Sequence, residues 1–183
     1  MHKQLFTLAF LAALSGAPLA AQTTSFELAA QVAPICGVYN STGTTINVDF
    51  GALAHVATDA SVNVGVGSAT YRCNSPAGFT RTIASQNNGF LTLGGDATTQ
   101  DSRRIRFTIA HGGGSGLNFA ARQLNTPVSR SYPGGTSWLN GQTGSVSFQA
   151  FGVRTAPDAN GVASTSVFAG TYRDTVTITI TAN

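Results

Sequence analysis

From Phe26 onward the apolar residues of this chain recur at every second position in short runs, and no stretch repeats them at helical spacing. Side chains alternate between the two faces of a strand, so period-two runs mark half-buried strands. The last run is the clearest: Val176, Ile178 and Ile180 lie on one side of Thr175–Thr181 and the threonines on the other. Earlier runs read the same way. Phe26, Leu28, Ala30 and Val32 alternate until Pro34, and Ile35–Tyr39 continues extended and carries Cys36. Thr45–Phe50 alternates through Ile46, Val48 and Phe50, and Val62, Val64 and Val66 lead towards Cys73. Phe79–Ser85 and Phe90–Leu93 flank Asn88-Gly89, whose tolerance of positive φ predicts a tight hairpin. Ile105, Phe107 and Ile109 form a further strand, residues 112–135 read as loose and Gly-rich, and Val146–Val153 resumes the pattern. Abundant Gly, Thr, Ser and Val agree with strands and turns and oppose helix. About eight to ten short strands without helices predict a single all-β sandwich domain.

The N-terminus carries a different signal. Met1-His2-Lys3-Gln4 is basic, Leu5–Leu14 is apolar, and Ser15, Gly16 and Pro18 precede the small residues Ala20-Ala21. That order predicts a secretory signal peptide over residues 1–21, cut after Ala21. The apolar run has about half the roughly 20 residues a membrane span needs. The mature chain then has 183 − 21 = 162 residues, enough to bury a core without a metal.

Lys3 is the only lysine and leaves with the leader, so nine arginines face seven acids, a formal charge of +2. The basic balance therefore arises in a charge-poor chain and predicts no nucleic-acid partner, which normally requires a dense basic stripe. Arg103-Arg104-x-Arg106 interleaves with Ile105 and Phe107 and reads as the solvent face of a strand. Cys36 and Cys73 are the two cysteines; in an exported protein such a pair predicts a structural disulfide, worth about 4 kcal/mol in the chain-entropy account.

Catalytic signatures are missing from the sequence. His55 and His111 are the mature histidines, without metal-ligand spacing, and no Gly-x-Ser-x-Gly elbow occurs. His111-Gly-Gly-Gly-Ser-Gly116 lacks the Lys-Ser/Thr of a phosphate loop and reads as a flexible connection. Asp174 is expected to cap a turn into the last strand. The expectation is a non-enzyme without catalytic residues, metal or cofactor.

Cys36-Gly-Val38, Val48-Asp-Phe50-Gly51, Tyr71-Arg-Cys73 and the ending Phe168-Ala-Gly-Thr-Tyr-Arg-Asp-Thr-Val-Thr-Ile-Thr-Ile180 together resemble the spore coat protein U domain family. That family includes subunits of archaic chaperone–usher pili. The likeness spans nearly the whole mature chain; Gly170–Thr179 is its most specific part. Departures occur at Ile105–His111, where a Tyr-rich strand is common in the family, and at Trp138-Leu139, where Trp-Gly is common.

The resemblance implies an incomplete immunoglobulin-like β-sandwich, completed by a donor strand from a neighbouring subunit. A missing strand leaves an apolar groove and an edge of unpaired backbone groups. A periplasmic chaperone fills it first; at the outer-membrane usher the N-terminal segment of the next subunit replaces the chaperone, a β-augmentation. On this reading residues 22–34 are the donor segment, with Phe26, Leu28, Ala30 and Val32 entering the groove. Residues 35–183 are the pilin domain, and Val176, Ile178 and Ile180 form the acceptor-groove strand. The chain ending on that strand, without another doubling back, fits the scheme. The alternation by itself leaves open that residues 24–33 are the first strand of a closed sandwich. The implied product is a secreted fimbrial fibre at the cell surface serving adhesion and biofilm formation. A spore or cell-surface coat protein is the alternative, and a carbohydrate-binding adhesin a lesser one.

Overall fold

A computed structural model describes residues 23–40 and 43–183; the expected leader lies outside the described residues. The chain divides into two units at Val32/Ala33, and all secondary structure among the described residues belongs to the second. Its elements run β1 (Cys36–Asn40), β2 (Ser61–Cys73), β3 (Phe79–Ser85), β4 (Phe90–Leu93), β5 (Arg104–His111), β6 (Phe119–Arg122) and β7 (Val128–Tyr132). A short helix, α1 (Thr136–Asn140), precedes β8 (Gln142–Phe151), β9 (Tyr172–Arg173) and β10 (Val176–Ala182).

These strands form two antiparallel sheets. The larger has the order β1-β2-β8-β5-β4-β9, with β6 sharing the outer edge of β5; the smaller is β10-β3-β7. Period two explains the packing between them. Tyr71 and Ile109 of the large sheet and Phe79, Ile83 and Tyr132 of the small one turn inward into one core cluster. Trp138 from α1 stands edge-on to Phe79, with ring centroids 4.9 Å apart, and its indole N–H donates to the Pro133 carbonyl at 3.1 Å. A second cluster collects Leu53, Ile105, Phe107, Ala150 and Val153. The protein is thus an all-β sandwich of the immunoglobulin-like kind. At one end, Cys36 and Cys73 sit directly opposite each other on β1 and β2, Cα atoms 4.0 Å apart, and are disulfide-bonded.

Several expectations change. Asn88 and Gly89 do adopt positive φ, 55° and 79°, and the Phe90 N–H closes a turn on the Asn87 carbonyl at 3.2 Å. The strands they join do not pair as a hairpin, however: β3 runs in the small sheet and β4 in the large one. Local turn chemistry sets the reversal, and the choice of partners is made by the core.

Residues 112–135, read as loose, contain β6 and β7. The loop after His111 packs closely at its start: a Cβ on Gly113 would lie 2.9 Å from the Gly144 Cα, and one on Gly112 2.4 Å from Ser145 Oγ. The glycines there permit close backbone contact. Contrary to the helix-free reading, residues 136–140 form one helical turn.

Thr45–Phe50 alternates correctly yet is not a strand. Among the described residues, positions 44–51 make no backbone–backbone hydrogen bond, although Val48 and Phe50 are half-buried. Alternation marks which side meets apolar surface, but a strand also needs a ladder partner. The run Phe26–Val32 likewise forms no strand, and Phe26, Leu28 and Val32 are 83%, 95% and 83% exposed.

Arg104 and Arg106 occupy the solvent side of β5 as expected, whereas Arg103 ends a short 3-10 turn before the strand. The Arg104 guanidinium lies over the Phe90 ring at 4.3 Å and binds Asp101 at 2.6 Å, and Arg106 lies over Phe151 at 3.9 Å.

Candidate functional site: an open cleft beside the last strand

β10 pairs with β3 from Val176↔Ser85 to Ala182↔Phe79, and its opposite edge carries no strand among the described residues. An edge of this length exposes a row of backbone donors and acceptors. Along it opens a cleft of about 1500 Å³ within the second unit. β10 contributes Val176 and Ile178; β2 and β8 contribute Val66, Ala69, Val146 and Phe148. Val38 of β1 and the ladder-less segment 43–54 also line it, and Ile105, Phe107 and Leu91 extend it into the second core cluster.

The cleft is the interior of the sandwich, uncovered. In a closed sandwich the inward residues of an edge strand are shielded on both sides. Here Val176, Ile178 and Ile180 stay half-buried while Thr177, Thr179 and Thr181 face solvent. Ile180 packs against the first core cluster with Val176 and Ile178, but it is not among the residues lining the cleft. Val38, Val66, Phe107 and Phe148 line it although the sequence assigned none of them to a groove; their inward registers were readable, but which inward residues stay uncovered depends on strand order.

The motif Gly170-Thr-Tyr-Arg-Asp174 shapes one end of this cleft. A Cβ on Gly170 would lie 2.4 Å from Leu93 Cδ1 and push the leucine tip aside, and the φ of +152° favours glycine there. Tyr172 pairs with Leu93 across β4 and β9, and its hydroxyl donates to the Phe168 carbonyl at 2.7 Å. Asp174 accepts from Ser85 Oγ at 2.6 Å and from the Asn87 N–H at 2.9 Å. The carboxylate thereby ties the turn before β10 to the turn after β3, a fuller role than a cap. Burial raises its pKa above the ordinary 3.8, against the lowering pull of these hydrogen bonds.

The four proposed donor residues lie in the first unit, in residues without secondary structure. Among the described residues, no group of three or more His, Cys, Asp or Glu is placed to hold a metal, and no helix is long and apolar enough to cross a membrane.

No family model matches this chain, and no curated protein matches it. Among solved structures it is similar to a chain from a study titled "Chaperone-tip adhesin complex is vital for synergistic activation of CFA/I fimbriae biogenesis". That match has 13% identity and a TM-score of 0.44, covering 81% of this chain and 42% of the other. The chain thus spans less than half of the structure it matches, and the spore coat protein U likeness rests on the residues quoted for it.

Proposed function

We propose that this protein is a structural subunit of a secreted surface fibre, an archaic chaperone–usher pilus serving adhesion and biofilm formation, polymerised by donor-strand exchange. The observation that carries this reading is the apolar cleft of about 1500 Å³ along the unpaired edge of β10. Such a cleft asks for an extended strand with apolar side chains at alternate positions. Phe26, Leu28, Ala30 and Val32 supply that pattern in a segment that makes no strand of its own. Backbone groups of the incoming segment complete a ladder with β10, and its alternate side chains fill the space over Phe107, Val146 and Phe148.

The proposed partners follow from the same need. A periplasmic chaperone covers the cleft before assembly, the outer-membrane usher is the place of exchange, and the next subunit provides the permanent strand at the cell surface. The role proposed is binding and assembly, without catalysis.

Deletion of residues 22–32 tests the reading. The shortened subunit is expected to fold and bind its chaperone but to cap no preceding subunit, so the ladder of heat-resistant oligomers disappears. Wild-type polymerisation by the deletion variant, or by Phe26→Asp with Leu28→Asp, overturns the proposal. Loss of folding in the deletion variant does so as well, because the segment would then belong to its own domain.

A further inference from the structure

A buried cation in this sandwich has no carboxylate beside it. Arg81, in the centre of the small sheet, is 2% exposed; the ion pair found among the described residues is Arg104–Asp101, elsewhere. Arg81 Nη1 donates to the Leu117 carbonyl at 3.1 Å. Its guanidinium lies 5.4–5.6 Å from the ring centres of Tyr71, Phe119 and Tyr132. Aromatic faces and a carbonyl replace a counter-ion, so the site tolerates one positive charge and has no group to neutralise a second.

His111 stands beside that site at the end of β5 and is also 2% exposed. Nδ1 is 2.6 Å from the Gly112 carbonyl and Nε2 is 2.7 Å from the Tyr71 hydroxyl. A carbonyl only accepts, so Nδ1 carries the proton; Nε2 is then bare and accepts from Tyr71. In this neutral tautomer every buried polar side chain is satisfied, and no buried side-chain nitrogen or oxygen lacks a partner among the described residues. A proton on Nε2 turns the Tyr71 oxygen into the acceptor and leaves its O–H to find another acceptor in the core.

The groups facing the imidazole give no relief. Tyr71 comes from β2 and Arg81 from β3; Tyr132 of β7, with Arg130 over its ring, packs against Arg81; from β8 the neighbour is Gly144, where a Cβ would lie 2.3 Å from His111 Cε1. Phe119 of β6 packs against the ring at 5.9 Å, and Leu117, fully buried, provides the carbonyl for Arg81.

We propose that His111 is an acid-sensitive latch: protonation of Nε2 places a second positive charge beside Arg81, takes away the acceptor of the Tyr71 O–H, and releases residues 112–122, the glycine loop and β6, from over Arg81. Burial already pushes the imidazole below its ordinary pKa of 6.5; the Gly112 carbonyl pulls it up and the Arg81 charge pushes it further down. A depressed base binds its proton more readily once the chain opens. Stability is therefore complete above about pH 6.5 and falls as the pH drops below it, until the folded-state pKa is passed. One extra proton taken up on opening changes the opening equilibrium by up to about tenfold per pH unit.

The test is hydrogen exchange on the mature chain between pH 7 and 5, corrected for intrinsic rates. Protection at Leu117–Arg122 is expected to fall by up to about tenfold per pH unit in wild type. His111→Gln keeps one donor and one acceptor without a proton to gain, so its profile is expected to be flat; His55→Gln, removing an exposed histidine, is expected to behave as wild type. A flat wild-type profile overturns the proposal, as does one that survives in His111→Gln or is abolished by His55→Gln. Should His111→Gln not fold, nitrogen chemical shifts of wild-type His111 decide: Nε2 unprotonated at pH 7 supports the latch, and Nε2 protonated there refutes it.

Discussion

Graded truncation of the proposed donor strand measures how tightly neighbouring subunits are joined. In Phe26→Ala with Leu28→Ala the segment keeps its backbone and loses two of its largest anchors. These side chains are 83% and 95% exposed in the single chain, so nearly their whole surface remains to be buried in a neighbour's cleft. Each gains about 1.5–3 kcal/mol on full burial, and the pair therefore accounts for about 3–6 kcal/mol of the joint. At 1.4 kcal/mol per tenfold, subunit dissociation is expected to accelerate by about a hundred- to ten-thousandfold. Purified polymer is incubated at fixed temperature and denaturant, and monomer release is followed by gel electrophoresis. Glu27→Ala with Gln31→Ala, on the opposite side of the alternation, serves as the control and is expected to change release by less than about tenfold. Equal release rates for the Phe26/Leu28 variant and wild type refute the reasoning. So does an equal acceleration by the Glu27/Gln31 control, because the alternation would then carry no information about which side enters the cleft.

Replacing both Cys36 and Cys73 by Ala reopens a loop of 37 residues and is expected to cost about 4 kcal/mol in urea unfolding; an unchanged midpoint refutes a stabilising role. Gly78→Ala places a Cβ 2.0 Å from the Tyr132 carbonyl oxygen at a φ of +86°. The backbone conformation alone costs about 1–3 kcal/mol, so thermal unfolding should show a clear loss, and wild-type stability would disprove the close approach of the β3 start to the β7 end. Asp174 has the opposite pH sign to His111. Its folded pKa is raised, so folding takes up a proton between the ordinary 3.8 and the raised value, and its contribution to stability declines as pH rises through that window. Asp174→Asn is expected to remove this decline from the pH dependence of denaturation, and an unaltered profile in that range refutes it.

Much of the architecture follows from period two alone. Alternation at Val62–Val66, Ile105–Ile109, Val146–Phe148 and Val176–Ile180 placed strands, and their inward faces, without reference to any partner. The Asn88-Gly89 turn was legible because it depends on chemistry within a few residues, and the disulfide, though it spans 37 residues, because two cysteines allow a single pairing. What the chain alone did not determine was pairing. Thr45–Phe50 has the pattern of a strand but finds no ladder, and β3 and β4, neighbours across a tight turn, separate into different sheets. Asp174 looked like a local cap, yet its partners Ser85 and Asn87 are 89 and 87 residues away. The Arg81–Tyr71–His111 cluster had no sequence signal at all, since its members lie on three strands that only the sandwich brings together. Local periodicity reports which side of a strand meets apolar surface. Which edge is left open, and which charge is left without a counter-ion, depends on strand order, and that is decided only when the two sheets close over a common core.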